Sequence, residues 1–554
     1  MPTWGLTGLI KELLSSLAKN ARGSLTSDMV NMLTRHHRIQ GSTGLENALS
    51  DLYDALEGIG YSPRVIEVPS DSRKGFIDSP VSWEIEDAFL QFKAGGKLLE
   101  EYSFTEHPTL VAAHSPPGEG CGTLSLCNGG ECHGDAVLAR GPAYEAYSRA
   151  DAKLVVVYEP KRYIDAVPYT GLFLHSNEVK DTVVMNIPYR TALKLMSMLV
   201  ENPGRKIEVC WSNRSRYTSK PMHVLIACND NVDGPGVVLV SHICHPRPGA
   251  HDNASGSVAN YVAAFISHVM RLDIPLCHVW VPEFTGTVYL DRALPWRPLG
   301  VVNLDMVGSK QWITGSTLNI VNAPLYMDST IVPYTYLAVK AVLDTAPSFS
   351  GFDLPGSRYS LSPYTAGSDH DVFLSWGVDT VMLNEWPSKY YHTDMDTAET
   401  LSQRSLTDTA VASLLAAYMA YKRYRVNFVT NVFLDYLKTW YALEAMKTGF
   451  NTGLDELSRR ISDQARLKPG EIRGIASPVS TRLIQRLIGF EKYREITEVK
   501  GAVSYLTLYA PLAYVNGISD ASQLFQLENL VKWSNREEAL ISEAWELIRN
   551  EVLK

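Results

Sequence analysis

Four short, almost purely apolar segments between residues 237 and 383 limit the folds that this chain can adopt. A segment of this length that is apolar throughout, rather than at alternate positions, is typical of a strand buried on both faces. Residues 256–271 and 406–423 have the periodicity of helices that could cover such strands. We therefore predict an α/β fold with a mixed, mostly parallel sheet covered by helices. The four segments are Val237–Val240, His278–Val281, Leu299–Asn303 and Thr380–Leu383.

The rest of the sequence divides around this region. Residues 1–95 would begin the α/β domain, because two predicted helices precede a strand at Arg64–Val68, and residues 217–425 would complete it. Residues 96–216 consist of short apolar segments between turns rich in Gly and Pro, which predicts a small α/β domain inserted into the larger one. The alternative is that these strands extend the main sheet. Residues 426–554 have helical periodicity and many aromatic residues, which predicts a helical domain.

Composition and charge exclude several classes of function. The 554 residues are 45% hydrophobic and 20% charged, as in ordinary folded globular proteins. The net charge of −9 gives no general attraction to nucleic acid or to anionic lipid, so we expect neither as a partner. There is no apolar run of about 18 residues, and Lys11 and Lys19 interrupt the apolar block that an export signal needs. We therefore predict a cytoplasmic protein that is not bound to a membrane.

The seven cysteines are too few to predict a disulfide framework. Cys121, Cys127 and Cys132 lie close together beside His133, which leaves a metal-binding knot open. Their spacings do not match a standard zinc pattern, however. We therefore expect free thiols in a Gly-rich loop.

Histidine and acidic residues follow the apolar segments, at the points where the strands should end. His242 follows the first segment, and Asp252 comes just before the next predicted helix. Glu283, Asp305 and His392 follow the later segments. One such residue alone could be structural, since an aspartate at this position could cap the helix. Five of them at one sheet edge predict a shared metal site, and imidazole with carboxylate is a usual zinc ligand set.

These residues resemble the zinc exopeptidase family that includes bacterial aminopeptidases, glutaminyl cyclases, glutamate carboxypeptidase II and the transferrin receptor. The family order is His, Asp, Glu-Glu, Asp, His, and in the same order this chain has His242, Asp252, Glu283-Phe284, Asp305 and His392. Segments 303–308, 367–373 and 391–397 are also similar to family motifs. The resemblance covers residues 25–70 and 220–425.

The resemblance implies the architecture of the branch that contains glutamate carboxypeptidase II and the transferrin receptor. In that branch a protease-associated domain is inserted into the peptidase domain, and a helical domain that supports dimerisation follows. We therefore expect residues 96–216 to form a protease-associated-like domain and the protein to be a homodimer.

The resemblance also implies a role for each matched ligand. Asp252 would bridge two metal ions. His242 and Asp305 would complete the first metal, and His392 would hold the second. Glu283 would be the general base that activates the attacking water.

Two departures from the family pattern affect the metals. Phe284 stands where the family has a second glutamate that binds metal, and Phe has no ligand atom. Cys244 stands where the family has an aspartate that orients the ligand histidine. His245 is an alternative to His242 as the ligand, and Glu385 is a candidate replacement for the missing glutamate. We therefore predict one tightly bound zinc ion, with two ions as the alternative.

The leading hypothesis for function is a zinc-dependent exopeptidase, specifically an aminopeptidase that acts on short peptides. Tyr391 matches a tyrosine that stabilises the oxyanion in one branch, and the two appended domains could close the cleft to long chains. One alternative is acyl transfer of the glutaminyl cyclase type. Another is a catalytically inactive binding protein of the transferrin receptor type, which Phe284 and Cys244 would suit. The retained Glu283 favours hydrolysis.

Overall fold

A computed structural model describes residues 24–552 apart from six gaps, together with residues 8, 11–13, 15–16 and 19. The gaps are 128–131, 202–203, 205, 230–233, 451–452 and 463–465. The described residues form two large sheets and two small ones. The strands are β1 Arg64–Val68, β2 Ser72–Lys74, β3 Ile77–Ser79, β4 Ser82–Ala94, β5 Lys97–Ser103, β6 Gly118–Leu126, β7 Cys132–Arg140, β8 Ala150–Tyr158, β9 Val183–Asn186, β10 Ile207–Thr218, β11 Met222–Cys228, β12 Val237–His242, β13 Leu276–Val281, β14 Gly300–Asp305, β15 Thr317–Val321, β16 Asp344–Pro347, β17 Asp353–Pro355, β18 Tyr359–Ser362 and β19 Thr380–Trp386.

The first large sheet has the strand order β1-β11-β13-β12-β14-β19-β15-β18. Its four central strands, β13, β12, β14 and β19, are parallel, while β11 and β15 run antiparallel to them. Every residue of β12, β13 and β14 is buried, as expected for strands covered on both faces. The predicted α/β fold with a mixed, mostly parallel sheet is confirmed.

Alternate residues of β12 belong to different cores. Val237 and Leu239 join the large cluster that includes helices Ser255–Val269 and Gln403–Tyr421. Val238 and Val240 join a smaller cluster on the opposite face. Helices therefore anchor the central strands from one side, and the ends of those strands stay at a fixed edge.

The second large sheet has the order β5-β4-β10-β6-β7-β8-β9 and lies in sequence between β1 and β11. Its strands form a sheet of their own and do not extend the first one. Strand β4 lies before the expected boundary at residue 96. It nevertheless pairs with β10 along its whole length, with Ala94 opposite Ile207 at one end and Ser82 opposite Thr218 at the other. The second sheet therefore begins at Ser82.

Helices cover the first sheet and, from Val426 on, make up the regular structure of the described residues, in agreement with the predicted helical region. No helix among the described residues is long and apolar enough to cross a membrane. The α-helices are Leu25–Thr34, Thr43–Gly58, Ala143–Arg149, Tyr189–Glu201, Ser255–Val269, Leu290–Ala293, Gln311–Thr314, Ile331–Leu343, His370–Ser375, Gln403–Tyr421, Val426–Thr448, Leu454–Ser462, Thr481–Ile488, Phe490–Glu498, Ala502–Ser504, Ala510–Val515, Ala521–Glu528 and Asn535–Val552.

Six of the seven cysteines form disulfides, so the expectation of free thiols is wrong. Two of the bonds, Cys121–Cys210 and Cys228–Cys277, join cysteines that lie opposite each other on paired strands. The third is Cys127–Cys132. Sequence spacing could not reveal the first two pairs, because strand pairing brings together residues that are 89 and 49 positions apart.

A buried glutamate joins the helical region to the loop after β15. Oε2 of Glu528 accepts hydrogen bonds from the Leu325 backbone N–H at 3.2 Å and from the Tyr509 hydroxyl at 2.9 Å. Glu528 is 0% exposed. Burial raises the pKa of this carboxyl to about 7, although the nearby Arg466 opposes the change.

We predict that Glu528→Gln makes the protein less sensitive to pH. The folded pKa lies above the ordinary 4.5, so folding favours the protonated acid, and stability is lost as pH rises through about 7. At pH 8 the variant should exceed wild type in free energy of unfolding by roughly 1 to 3 kcal/mol, and at pH 5 the two should be close. Denaturant unfolding at both pH values measures this. Glu498→Gln, at an exposed position, is the control, and equal destabilisation of Glu528→Gln at both pH values would contradict the prediction.

Candidate metal centre

Loops at one edge of the first sheet carry the predicted ligands. His242 is the last residue of β12, and Asp305 is the last residue of β14. Glu283 follows β13, and Asp252 lies just before helix Ser255–Val269. Because β12, β13 and β14 are parallel and adjacent, their carboxyl ends bring these side chains together.

His242, Glu283 and Asp305 form a first group of candidate ligands, whose ligand atoms lie within 4.8 Å of one another. Nε2 of His242 lies 3.3 Å from Oδ1 of Asp305 and 3.3 Å from Oδ1 of Asp252. His242 and Asp305 are both buried. Nitrogen and carboxylate oxygen at these separations suit a zinc ion.

Asp252, His245 and His392 form a second group. Oδ2 of Asp252 lies 3.3 Å from Nε2 of His245 and 3.0 Å from Nε2 of His392. The two carboxylate oxygens of Asp252 thus face different groups. The sequence offered His245 as an alternative to His242, and the structure brings both imidazoles to Asp252, each beside its own oxygen.

A carbonyl oxygen lies against the other ring nitrogen of each loop histidine. Nδ1 of His242 is 3.1 Å from the carbonyl oxygen of Cys244, and Nδ1 of His245 is 3.1 Å from that of Pro246. When the ring proton is on Nδ1, that nitrogen donates a hydrogen bond to the carbonyl oxygen. The Nε2 lone pair is then available to a metal. The backbone of Cys244 therefore orients His242 where the family uses an aspartate side chain.

Arg38 organises the loop that carries both histidines. Its buried guanidinium donates to the carbonyl oxygens of Ile243 at 2.8 Å and Gly249 at 2.9 Å. The backbones of Arg38 and His245 exchange two hydrogen bonds, each 2.9 Å long. Arg38 has no signal in the sequence, because these contacts join residues about 200 positions apart and no local pattern marks them.

Asp396 supports Asp252 from the loop that follows His392. Its two carboxylate oxygens accept the backbone N–H groups of His251 and Asp252, each at 2.9 Å. Asp396 belongs to segment 391–397, whose likeness to a family motif is the sequence signal for it. The loop that positions one ligand is thereby fixed to the loop that carries another.

Asp394, two residues earlier, binds the region of the second sheet. It accepts the Val167 backbone N–H at 3.0 Å, and its other oxygen lies 2.6 Å from Nδ1 of His107. The backbone N–H of Tyr169 also donates to the carbonyl oxygen of His392 at 2.7 Å. The second sheet is therefore attached directly to the loop that carries His392.

Three contacts hold the backbone around Glu283. The Gln40 side-chain amide donates to the Glu283 carbonyl oxygen at 3.1 Å. The Glu283 backbone N–H donates to Sγ of Cys244 at 3.1 Å. The next N–H, that of Phe284, donates to Oδ1 of Asp369 at 2.7 Å. Phe284 has a positive φ of 56°, which non-glycine residues rarely adopt and which is found most often at functional sites.

Neither Phe284 nor Glu385 supplies the missing ligand. The Phe284 ring packs against an apolar cluster that contains Val288. Oε2 of Glu385 accepts the Ser309 N–H at 3.0 Å and lies 3.4 Å from Nε2 of His251. Glu385 belongs to neither ligand group, so the structure does not support it as the replacement.

The buried charges of the two groups compensate each other. Burial alone would lower the pKa of His242, but the carboxylates, chiefly Glu283 and Asp305, hold it well above its ordinary value. Burial would raise the pKa of Asp252, but the imidazoles around it hold it well below its ordinary value. Burial raises the pKa of Glu283, and Asp305 adds to this while His242 opposes it. A cluster of buried carboxylates and imidazoles fits a divalent cation, which would take the place of the imidazole protons and balance the charge of the carboxylates.

Aromatic rings surround the second group. Tyr391 stacks on the His392 ring with centroids 3.8 Å apart, and Arg162 lies 4.6 Å above the Tyr391 ring. Tyr169, from the region of the second sheet, packs against the rings of His245 and His392, with centroid distances of 4.8 and 4.9 Å. Burial raises the pKa of Tyr391, so its hydroxyl remains a hydrogen-bond donor at neutral pH. Tyr169 lies outside every motif found in the sequence.

A cavity of about 960 Å³ opens onto the first group and reaches His392. Its walls come from three parts of the chain. Phe173 and Tyr144 belong to the region of the second sheet, while Arg482 and Val503 belong to the helical region. The cavity is thus covered by both appended regions.

Comparison with known proteins agrees with this geometry. Residues 298–418, which contain Asp305, Tyr391 and His392, match the model of Peptidase family M28. The Peptidase M28 precursor from Shewanella amazonensis SB2B is similar in structure, with a TM-score of 0.52 at 15% identity over 75% of this chain and 96% of that one. BSAP, a zinc aminopeptidase from Bacillus subtilis, has a TM-score of 0.51 at 18% identity over 71% of this chain and 95% of that one. No curated protein sequence matches the chain.

The predicted resemblance to the zinc exopeptidases is therefore confirmed. The family match supports a metal-dependent peptidase, and the structural neighbours have the same fold. The candidate ligands His242, Asp252, Asp305 and His392 lie together, as does the candidate base Glu283.

We predict that Asp396→Asn lowers metal affinity about 10- to 100-fold. The amide group can offer only one acceptor to the two N–H groups, so Asp252 loses its alignment. Competition between the protein and a chelator for Zn²⁺ measures this. Asp394→Asn is the matched control two residues away, and it should retain metal affinity because its contacts face the second sheet. Equal losses in both variants would show a general effect of the loop and contradict the prediction.

Proposed function

We propose that this protein is a zinc-dependent aminopeptidase that hydrolyses short peptides. The single observation that carries the proposal is the position of Glu283. This carboxyl group lines the cavity beside His242 and Asp305, at the edge where the metal ligands meet. A general base is needed at this point for hydrolysis, but it has no purpose in a protein that only binds.

His242, Asp305 and Oδ1 of Asp252 would hold zinc beside the base. Zinc, when bound, supplies a Lewis acid that polarises the scissile carbonyl and makes water more acidic. Glu283 accepts the proton of the attacking water and returns it to the leaving amine. Tyr391 lines the same cavity, and its hydroxyl would donate a hydrogen bond to the developing oxyanion.

The cover over the cavity supports action on short peptides. The Arg482 guanidinium donates to the carbonyl oxygens of Leu172 and Phe173, and it lies 4.2 Å above the Tyr144 ring. The same guanidinium is 3.3 Å from the Glu178 carboxylate. These contacts tie the helical region to the second-sheet region above the metal centre, which leaves little room for a folded protein.

Two further sequence-based expectations remain predictions. The protease-associated-like character of the second-sheet region rests on its position in the chain. The homodimer rests on the family resemblance, and helix Val426–Thr448 offers a surface for it, since Phe428, Leu443 and Met446 are exposed. Sedimentation of wild type and of Leu443→Asp would test the dimer.

The compartment is a separate part of the proposal. Disulfides are rare in reducing cytosol, so the three bonds favour an oxidising compartment over the cytoplasm expected from sequence. Alkylation of the protein directly on cell lysis, followed by mass spectrometry, would test this. Labelling at Cys244 alone supports the oxidising compartment, and labelling at all seven cysteines supports the cytoplasm.

We predict that Glu283→Gln removes most turnover and leaves bound metal unchanged. A general base contributes about 10²- to 10⁴-fold, and the amide cannot accept the proton. Hydrolysis of amino-acid amides and elemental analysis measure the two properties. Glu385→Gln is the control, because this buried glutamate faces His251 and not the ligands. Loss of metal from Glu283→Gln would contradict the assignment of the base, and absence of turnover in wild type would favour the binding protein.

We predict that cleavage slows steeply as the peptide becomes longer. The covered cavity can hold a few residues, so dipeptides to tetrapeptides should be cleaved faster than decapeptides with the same first residue. Arg482→Ala should raise the rate on long peptides relative to short ones, because it removes the ties across the cover. Arg459→Ala, whose exposed ion pair with Glu456 lies within a single helix, is the control. Equal rates on dipeptides and unfolded chains would contradict the prediction.

A further inference from the structure

The loop after β12 carries two histidines whose metal-binding nitrogens face different oxygens of one carboxylate. Nε2 of His242 faces Oδ1 of Asp252, while Nε2 of His245 faces Oδ2. His392 approaches the same Oδ2, and the His245 and His392 ring centroids are 5.5 Å apart. Three donor atoms therefore surround a second point, separate from the first ligand group.

The missing hydrogen bond of His245 Nε2 indicates which kind of ligand this second point binds. The atom is buried and makes no hydrogen bond to any described residue, although Oδ2 of Asp252 is only 3.3 Å away. The short distance without hydrogen-bond geometry indicates that the two atoms aim at a common point and not at each other. With the ring proton on Nδ1, that nitrogen donates a hydrogen bond to the Pro246 carbonyl oxygen, and Nε2 keeps its lone pair. A buried lone pair without a partner is costly unless a cation binds it.

The family pattern explains why an additional donor is needed here. Phe284 replaces the glutamate expected from the resemblance, and its ring, which has no ligand atom, packs against the apolar cluster that contains Val288. Without another donor, the second point would have only His392 and one oxygen of Asp252.

We propose that His245 replaces the missing glutamate and that His245, His392 and Oδ2 of Asp252 bind a second divalent cation. This proposal rests on the metal centre of the proposed function but not on its peptidase activity. It changes the sequence-based prediction of one tightly bound zinc ion to two ions per chain.

The exchange of a carboxylate for an imidazole also changes the preference for metals. The second point has one negative charge fewer than a site with glutamate, and two of its three donors are nitrogen. Imidazole suits zinc and cobalt, whereas carboxylate and water suit magnesium and manganese. We therefore expect Zn²⁺ and Co²⁺ to fill both points and Mn²⁺ to bind the second point weakly.

The fold holds the new ligand in place before any metal binds. The backbone of His245 is paired with that of Arg38, and the Tyr169 ring contacts its imidazole at 4.8 Å. The Arg38 guanidinium fixes the carbonyls on both sides of the histidine, at Ile243 and Gly249. The ligand therefore requires little reorganisation.

Metal counting tests the proposal. The full chain is stripped with a chelator, dialysed against Zn²⁺ or Co²⁺, separated from free ion and analysed for bound metal. Wild type should hold two ions per chain, and His245→Gln should hold one. His242→Gln should also hold one, but the Co²⁺ absorption spectra of the two variants should differ because different points remain filled. His251→Gln is the matched control, since its buried imidazole lies beside Glu385 and belongs to neither ligand group, and it should hold two.

A second variant distinguishes loss of the metal ligand from loss of the fold. His245→Glu keeps a ligand in the loop and should bind the second ion more tightly than His245→Gln, while circular dichroism of the stripped proteins reports the fold. Saturation of wild type at one ion, or two ions in His245→Gln, would overturn the proposal. Two ions in a protein without peptidase activity would support the second site and contradict the proposed function. One ion in an active peptidase would do the reverse.

Discussion

The arrangement around the Asp252 carboxylate is the interaction on which the site depends. A carboxylate that is 4% exposed is costly to bury, and here three imidazoles from two groups of candidate metal ligands lie against it. Its backbone N–H is held by Asp396, so the orientation of the carboxylate is fixed from outside the ligand groups. The loops that carry His242, His245 and His392 must therefore each place an imidazole beside the Asp252 carboxylate.

The fold and the first ligand group were predictable because they depend on local patterns. Apolar runs such as Val237–Val240 are typical of strands buried on both faces, and the carboxyl ends of adjacent parallel strands lie at one edge of the sheet. A histidine or an acid at the end of each run then has a known position, even without knowledge of the loops. This is why His242 and Asp305 were identified together. Their proximity followed from the geometry of the sheet, because both residues end parallel strands.

The role of His245 and the extent of the second sheet depend on contacts that no local pattern reveals. The loop containing His245 is shaped by Arg38, about 200 residues earlier in the chain, so sequence left His245 only as an alternative to His242. Strand β4 reads as part of the first domain until its pairing with β10 is known. The cysteine pairs were missed for the same reason, because Cys210 meets Cys121 only through strand pairing. Long-range pairing determined each of these features.

The two departures from the family pattern have different consequences, and together they argue against a degenerate site. Loss of the aspartate at Cys244 is offset locally, since the carbonyl of the same residue orients His242. Loss of the glutamate at Phe284 is offset from another loop, where His245 has a buried, unpaired nitrogen beside Asp252. A chain that had lost catalysis would have no reason to hold the backbone of Glu283 through Gln40, Cys244 and Asp369. The departures are better explained as an exchange of ligands within a working metal centre.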